Sequence, residues 1–140
     1  MFWSKQKTGC EETTALAERV AMEAEGLYRS GKMHCAEAVL MAVKNSFAPS
    51  LADDVVHLAA GFGGGSGSGC LCGAVVGGTM AFGIVLPGDK KKAKKLTHEL
   101  HTWFKDQYGA TCCKIILQTH KKICPELTGR VAGKVAELLS

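Results

Sequence analysis

The stretch that decides the fold reads Gly61-Phe-Gly-Gly-Gly-Ser-Gly-Ser-Gly-Cys-Leu-Cys-Gly-Ala-Val-Val-Gly-Gly-Thr-Met-Ala-Phe-Gly-Ile-Val-Leu86. No charged residue occurs in it, nor anywhere from Val55 to Gly88. Its first part, Gly61–Gly69, is too glycine-rich to hold regular structure and reads as a loop. Its second part, Cys70–Leu86, is apolar throughout. A membrane span needs about 20 apolar residues. This run is shorter and carries Gly73, Gly77, Gly78 and Gly83, so it reads as a buried central helix. Ala74 and Ala81 extend its row of small residues, which suits close helix packing inside one core or across a homodimer.

Helical signals surround this centre. Leu16, Val20, Ala24 and Leu27 stripe a first helix over Glu11–Ser30, which Gly31 stops. Ala36, Leu40, Val43 and Phe47 mark a second over His34–Phe47, ended by Pro49. A short third covers Leu51–Ala60, with Ser50 as cap and Asp53 and Asp54 in its first turn. Beyond the centre, Pro87-Gly88 turns the chain and Asp89 caps a basic helix over Lys90–Tyr108, striped by Leu96, Leu100, Trp103/Phe104 and Gln107. Gly109 closes it, and Thr111 caps a helix over Cys112–Lys122. A last helix runs over Pro125–Leu139, weakened by Gly129 and Gly133. Two-residue alternation is nowhere sustained, so no strand is expected. The expectation is one all-α domain over residues 1–140, a bundle of about five to seven helices, with residues 1–10 poorly ordered.

Composition narrows the function. The chain has 140 residues, 46% of them hydrophobic, and a net charge of +4. That is enough chain for a core of its own and too mild a charge to imply nucleic acid. Seven cysteines are present. Met1–Thr8 lacks the apolar region and cleavage site of a secretory signal, so a reducing, cytoplasmic setting is expected. There, cysteines more often bind metal or do redox chemistry than form bridges.

Four of them fall at expected helix starts: Cys35, Cys72, Cys113 and Cys124, the last as an N-cap before Pro125. Free N–H groups and the positive end of the helix dipole favour thiolate there. Thiolate binds metal and attacks disulfides, so the placement suits an iron–sulfur cluster or a reactive dithiol. Cys10 lies in the polar N-terminus. Cys70 and Cys112 sit two and one residues from better-placed cysteines, and on a helix would face elsewhere.

In these residues the chain resembles the redox-active family named for the pattern C_GCAxxG_C_C. The matching pieces are Cys35-Ala-Glu-Ala-Val-Leu, Gly61-Phe-Gly-Gly-Gly, Cys72-Gly-Ala-Val-Val-Gly77, Tyr108-Gly-Ala-Thr-Cys-Cys113 and Cys124-Pro-Glu-Leu. They run in the family's order from about Gly31 to the C-terminus. The resemblance implies a helical fold and four functional cysteines, carried onto Cys35, Cys72, Cys113 and Cys124. A related domain in split-Soret cytochromes is thought to hold an iron–sulfur cluster. One departure is that the pattern's glycine precedes its second cysteine, whereas here it follows, in Leu71-Cys72-Gly73. This leaves Cys70 as a substitute for Cys72. Members of the family often have a non-cysteine residue at the position of Cys112, so the resemblance implies Cys113, with Cys112 as its substitute. No Cys-x-x-Cys-His occurs, so c-type haem is not expected.

Supporting roles fall to Gly63, Gly64, Gly65 and Gly73, which permit close backbone approach to a cluster or a helix, and to His34, placed to tune Cys35. Gly61–Gly69 lacks the dinucleotide-binding spacing, and Gly26–Met33 lacks the P-loop Ser/Thr. His98 and His101 are spaced to share a metal but read better as a solvated face. Lys90–Lys95 reads as a solvated face that suits docking of an acidic redox partner. The expected function is electron transfer on an iron–sulfur cluster. Alternatives are a metal-free thiol–disulfide oxidoreductase or sensor, with Cys72 attacking, and a structural zinc or nucleic-acid-binding regulator. Nucleic acid and membrane are not expected partners.

Overall fold

The computed structural model describes residues 9–140, with side chains from residue 11 onward. Six α-helices carry the fold: α1 Gly9–Arg29, α2 Cys35–Phe47, α3 Gly73–Val85, α4 Lys90–Tyr108, α5 Cys113–Thr119 and α6 Cys124–Leu139. The described residues contain no strand, and the chain is a single all-α domain. The expected disorder of residues 1–8 lies outside the described residues, whereas Gly9 and Cys10 already open α1.

The two central helices are buried for chemical reasons visible in their sequences. In α2, Ala36, Val39, Leu40, Ala42 and Val43 are all but inaccessible. In α3, Gly73, Ala74, Val75, Gly77, Gly78, Ala81 and Phe82 are buried, while Gly83 faces out. Its glycines set how closely neighbours come. An ideal Cβ at Gly77 would collide with the Ala36 carbonyl oxygen of α2. One at Gly78 would sit 2.8 Å from Leu100 of α4 and 2.9 Å from Val135 of α6. The small-residue row is thus used inside the chain. Gly129 and Gly133 serve α6 the same way. A Cβ there would lie 2.9 Å from the Ala21 carbonyl oxygen and 3.2 Å from that of Ala17, so these glycines let α1 pack along α6. The propensity they cost locally is offset by that contact.

Several expected boundaries shift. The third helix is a 3-10 helix over Asp53–Phe62, and Ala52, not Ser50, precedes it. Its three-residue repeat brings Val56, Ala59 and Phe62 to one side. Val56 and Ala59 are buried there, and Phe62 packs against the core. Buried Lys44 anchors its start: Nζ donates to the Leu51 carbonyl at 2.9 Å and pairs with Asp53 at 3.1 Å. Asp53 is 72% exposed and can rehydrate, whereas Lys44 cannot. Asp53→Ala is therefore expected to cost about 2 kcal/mol and Lys44→Met about 1 kcal/mol. Urea unfolding checks the order, and the reverse order would contradict it.

Helix α4 keeps its expected ends, with Asp89 accepting from the Lys92 N–H at 3.1 Å and Gly109 at φ +79. Tyr108, not Gln107, completes its buried stripe. The central helix starts at Gly73 instead of Cys70, because Cys70–Cys72 is spent on an antiparallel bridge that sets Leu71 opposite Cys112. The Cys72 N–H donates to the Thr111 carbonyl at 2.8 Å, and the Cys113 N–H to the Cys70 carbonyl at 2.5 Å. The same bridge delays α5, whose N-cap is Cys112 and not Thr111. Lys122, at φ +60, follows the early end of α5. Ile123, not Cys124, caps α6.

Candidate functional site

Cys35, Cys72, Cys113 and Cys124 all line one cavity of about 470 Å³. They reach it from different elements. Cys35 is the first residue of α2, Cys72 the N-cap of α3, Cys113 the first residue of α5 and Cys124 the first of α6. The helix starts converge because the Leu71–Cys112 bridge ties the start of α3 to that of α5, while α2 packs against both α3 and α6.

Glycines make the convergence physically feasible. A Cβ at Gly73 would stand 2.5 Å from the Cys35 Sγ and 2.6 Å from the Phe62 carbonyl oxygen. A Cβ at Gly65 would stand 2.7 Å from the Cys113 Cβ. From Gly64 to Gly67 the backbone makes a left-handed turn, with φ between 63° and 67° at all four residues. Only Ser66 among them carries a side chain, in a conformation that favours glycine. Of the expected supporting residues, Gly63, Gly64, Gly73 and His34 line the cavity, and Gly65 lies behind Cys113. His34 precedes α2 and is exposed, its backbone N–H donating to Glu37 Oε1 at 3.1 Å.

The two substitutes do not line the cavity. Cys70 is exposed, its Sγ 3.8 Å from the Ser68 carbonyl oxygen. Cys112 turns its Sγ to the Gly69 carbonyl at 3.3 Å. The six cysteines whose side chains are described are all free thiols. His98 and His101 border a separate groove, and the His101 Nδ1 is 2.8 Å from the Thr97 carbonyl oxygen. None of Lys90–Lys95 lines the cysteine cavity.

The sequence reading missed the rest of the lining. Tyr28, near the end of α1, enters the cavity, close to the Cys124 side chain. Ile116, Leu117, Ile123 and Leu127 form an aliphatic wall. Thr128, one turn beyond Cys124, is fully buried and lines the cavity as well. Only its position four residues after a candidate cysteine was available as a signal.

The sequence model of the family described as "Putative redox-active protein (C_GCAxxG_C_C)" matches residues 33–138. The chain belongs to this family. No curated protein and no solved structure matches it. Within the C_GCAxxG_C_C family pattern, the shifted glycine of Leu71-Cys72-Gly73 has a physical reason here: the residue after Cys72 must leave room for the Cys35 sulfur.

Electrostatics corrects one expectation. The helix starts were expected to favour thiolate, and the N–H groups of Gly64 and Ala36 near Cys35, and of Ala74 and Val75 near Cys72, do pull in that direction, although Cys72 makes no side-chain cap hydrogen bond. Burial outweighs them. It pushes Cys72 up to about 12 and raises Cys35 and Cys113 above their ordinary value of 9.0, with the neighbouring thiols adding repulsion. Burial likewise raises Tyr28 to about 12. Desolvation of a charged sulfur thus costs more than the helix ends return.

This has a pH signature. Below about pH 9 Cys72 is protonated in both folded and unfolded chains. Between about 9 and 12 the unfolded chain loses that proton while the folded one keeps it, so stability is lost as pH rises. The reduced, chelator-treated protein is expected to show a melting temperature that falls progressively above about pH 9. Cys72→Ala should flatten part of that slope, and an equal slope in the variant would contradict the assignment.

Proposed function

We propose that the chain is an electron carrier in which Cys35, Cys72, Cys113 and Cys124 hold one iron–sulfur cluster. The observation that carries this reading is that four thiols from four separate helix starts line a single cavity. The residues fit such a group. About 470 Å³ is far more than the roughly 30 Å³ share of one water, so the space suits a polynuclear centre better than a lone ion. Structural zinc sites favour short Cys-x-x-Cys pairs, a spacing that does not occur in the sequence. An aliphatic wall covers one side of the site, and the N–H groups of Gly64, Ala36, Ala74 and Val75 favour the sulfurs of Cys35 and Cys72 as they lose their protons. A bound cluster would supply one-electron transfer at a potential set by such hydrogen bonds and by burial.

The family's redox character also admits a metal-free dithiol. Burial disfavours Cys72 as a free attacking thiolate, whereas a bound metal centre would itself displace the proton. Exposed Lys90–Lys95, at the start of α4, suits an acidic redox partner. Among the described residues no helix is long and apolar enough to cross a membrane. A potentiometric titration of the anaerobically loaded protein tests the reading. Reversible one-electron reduction, seen as a paramagnetic signal, is the expected result. A protein that takes up no electron reversibly would overturn it.

A further inference from the structure

The cavity contains a polar group that the protein itself leaves unsatisfied. Thr128 is fully buried, and its Oγ1 has no hydrogen-bond partner. It is the one buried side-chain polar atom without a partner among the described residues. Helical hydroxyls normally bond back to the carbonyl four residues earlier. Thr79 does so here, donating to the Val75 carbonyl at 3.0 Å, and Ser140 does so to Ala136 at 2.7 Å. The equivalent acceptor for Thr128 is the carbonyl of Cys124, and the bond is not made. An unsatisfied buried hydroxyl costs about 1–3 kcal/mol. Valine has nearly the same shape and would avoid that cost.

Thr128 is one of the residues that line the cysteine cavity, one helical turn from Cys124. Tyr28, from α1, lines the same cavity as Cys124. Two hydroxyl-bearing residues from different helices therefore line the cavity that Cys124 lines. A hydroxyl is a hydrogen-bond donor, and the natural complement of two donors is an anionic, acceptor-rich occupant.

We infer that Thr128 and Tyr28 are positioning residues that donate hydrogen bonds to the sulfur-rich occupant of this cavity and raise its reduction potential. The inference rests on the cluster reading above. Reduction adds negative charge to the centre, and a donor aimed at its sulfurs stabilises the reduced state more than the oxidised one. The same donation would satisfy Thr128 in the loaded protein alone, so loading relieves a cost that the empty fold carries.

Thr128→Val and Thr128→Ser separate this role from packing. In reduced, chelator-treated protein, Thr128→Val is expected to melt higher than wild type, since it removes an unsatisfied hydroxyl without changing volume. In protein loaded anaerobically with iron and sulfide, the same variant should be harder to reduce. At the wild-type midpoint potential its reduced-to-oxidised ratio should fall about fivefold. Thr128→Ser should keep a wild-type ratio, and Tyr28→Phe should lower the ratio in the same direction. A wild type that assembles no cluster overturns this inference together with the electron-carrier reading. A wild type that loads normally, with an unchanged ratio in Thr128→Val, overturns this inference alone. So does an empty Thr128→Val that melts below wild type, because the hydroxyl would then already be satisfied in the fold.

Discussion

Cys72→Ser is expected to reduce the iron bound after anaerobic reconstitution by at least tenfold while leaving the far-ultraviolet helical signal intact. Cys72 is 6% exposed and sits at the N-cap of α3, near the free N–H groups of Ala74 and Val75. A serine hydroxyl occupies the same place but is a far weaker acid and a harder donor, so it does not replace thiolate as a ligand to iron. The fold has little reason to fail. Serine is smaller than cysteine and can accept from the same N–H groups, so the expected cost is about 1 kcal/mol. Cys70→Ser and Cys112→Ser are the controls. Both residues lie outside the cavity, their sulfurs turned to the Ser68 and Gly69 carbonyls, so both variants should load as wild type does. Full loading of Cys72→Ser, or loss of loading in Cys70→Ser, would place the ligand on the wrong cysteine.

Gly77→Val is expected to be the most destabilising substitution in α3, costing at least 3 kcal/mol, a large share of the 5–15 kcal/mol typical of a domain. A Cβ at Gly77 would overlap the Ala36 carbonyl oxygen and lie 3.0 Å from the Ala36 Cα. Those are backbone atoms of a buried helix, so no side chain can rotate away, and α2 and α3 must separate. The site is damaged at the same time, because Ala36 adjoins Cys35 at the start of α2 and Cys72 caps α3. Even Gly77→Ala should therefore lower loading. Gly83 provides the contrast, since a Cβ there meets nothing within 4 Å. Gly83→Ala should stabilise by about 0.5–1 kcal/mol through helix propensity alone. Urea unfolding decides between them. A wild-type midpoint for Gly77→Val would mean that the helices do not cross as closely as described.

Much of the fold was legible because its signals are local. Asp89 and Gly109 bracket α4 with the side-chain cap and the left-handed closing residue that end helices, and both boundaries stand. The four cysteines were picked out because each lies beside a turn residue or proline that starts a helix, and those starts meet at one cavity. What the sequence did not reveal depends on partners distant in the chain. The Leu71–Cys112 bridge takes three residues from the expected central helix through a contact 41 positions away, which no periodicity records. The 3-10 helix answers to what Val56 and Ala59 must cover, not to their propensity. Gly129 and Gly133 look like helix breakers until Ala17 and Ala21 of α1 are seen against them. The thiol acidity reversed for the same reason: a helix start is read locally, whereas burial of Cys72 comes from the assembled helices. Tyr28 and Thr128 carry no local mark of a site at all and enter it only through the packing of α1 and α6.

The most direct test of the account is an assay for iron and acid-labile sulfide in the protein purified without oxygen, beside its visible spectrum. The account predicts iron and sulfide in matching amounts and broad absorption near roughly 400 nm. A colourless protein that lacks both, and that cannot be reconstituted with iron and sulfide, would contradict it.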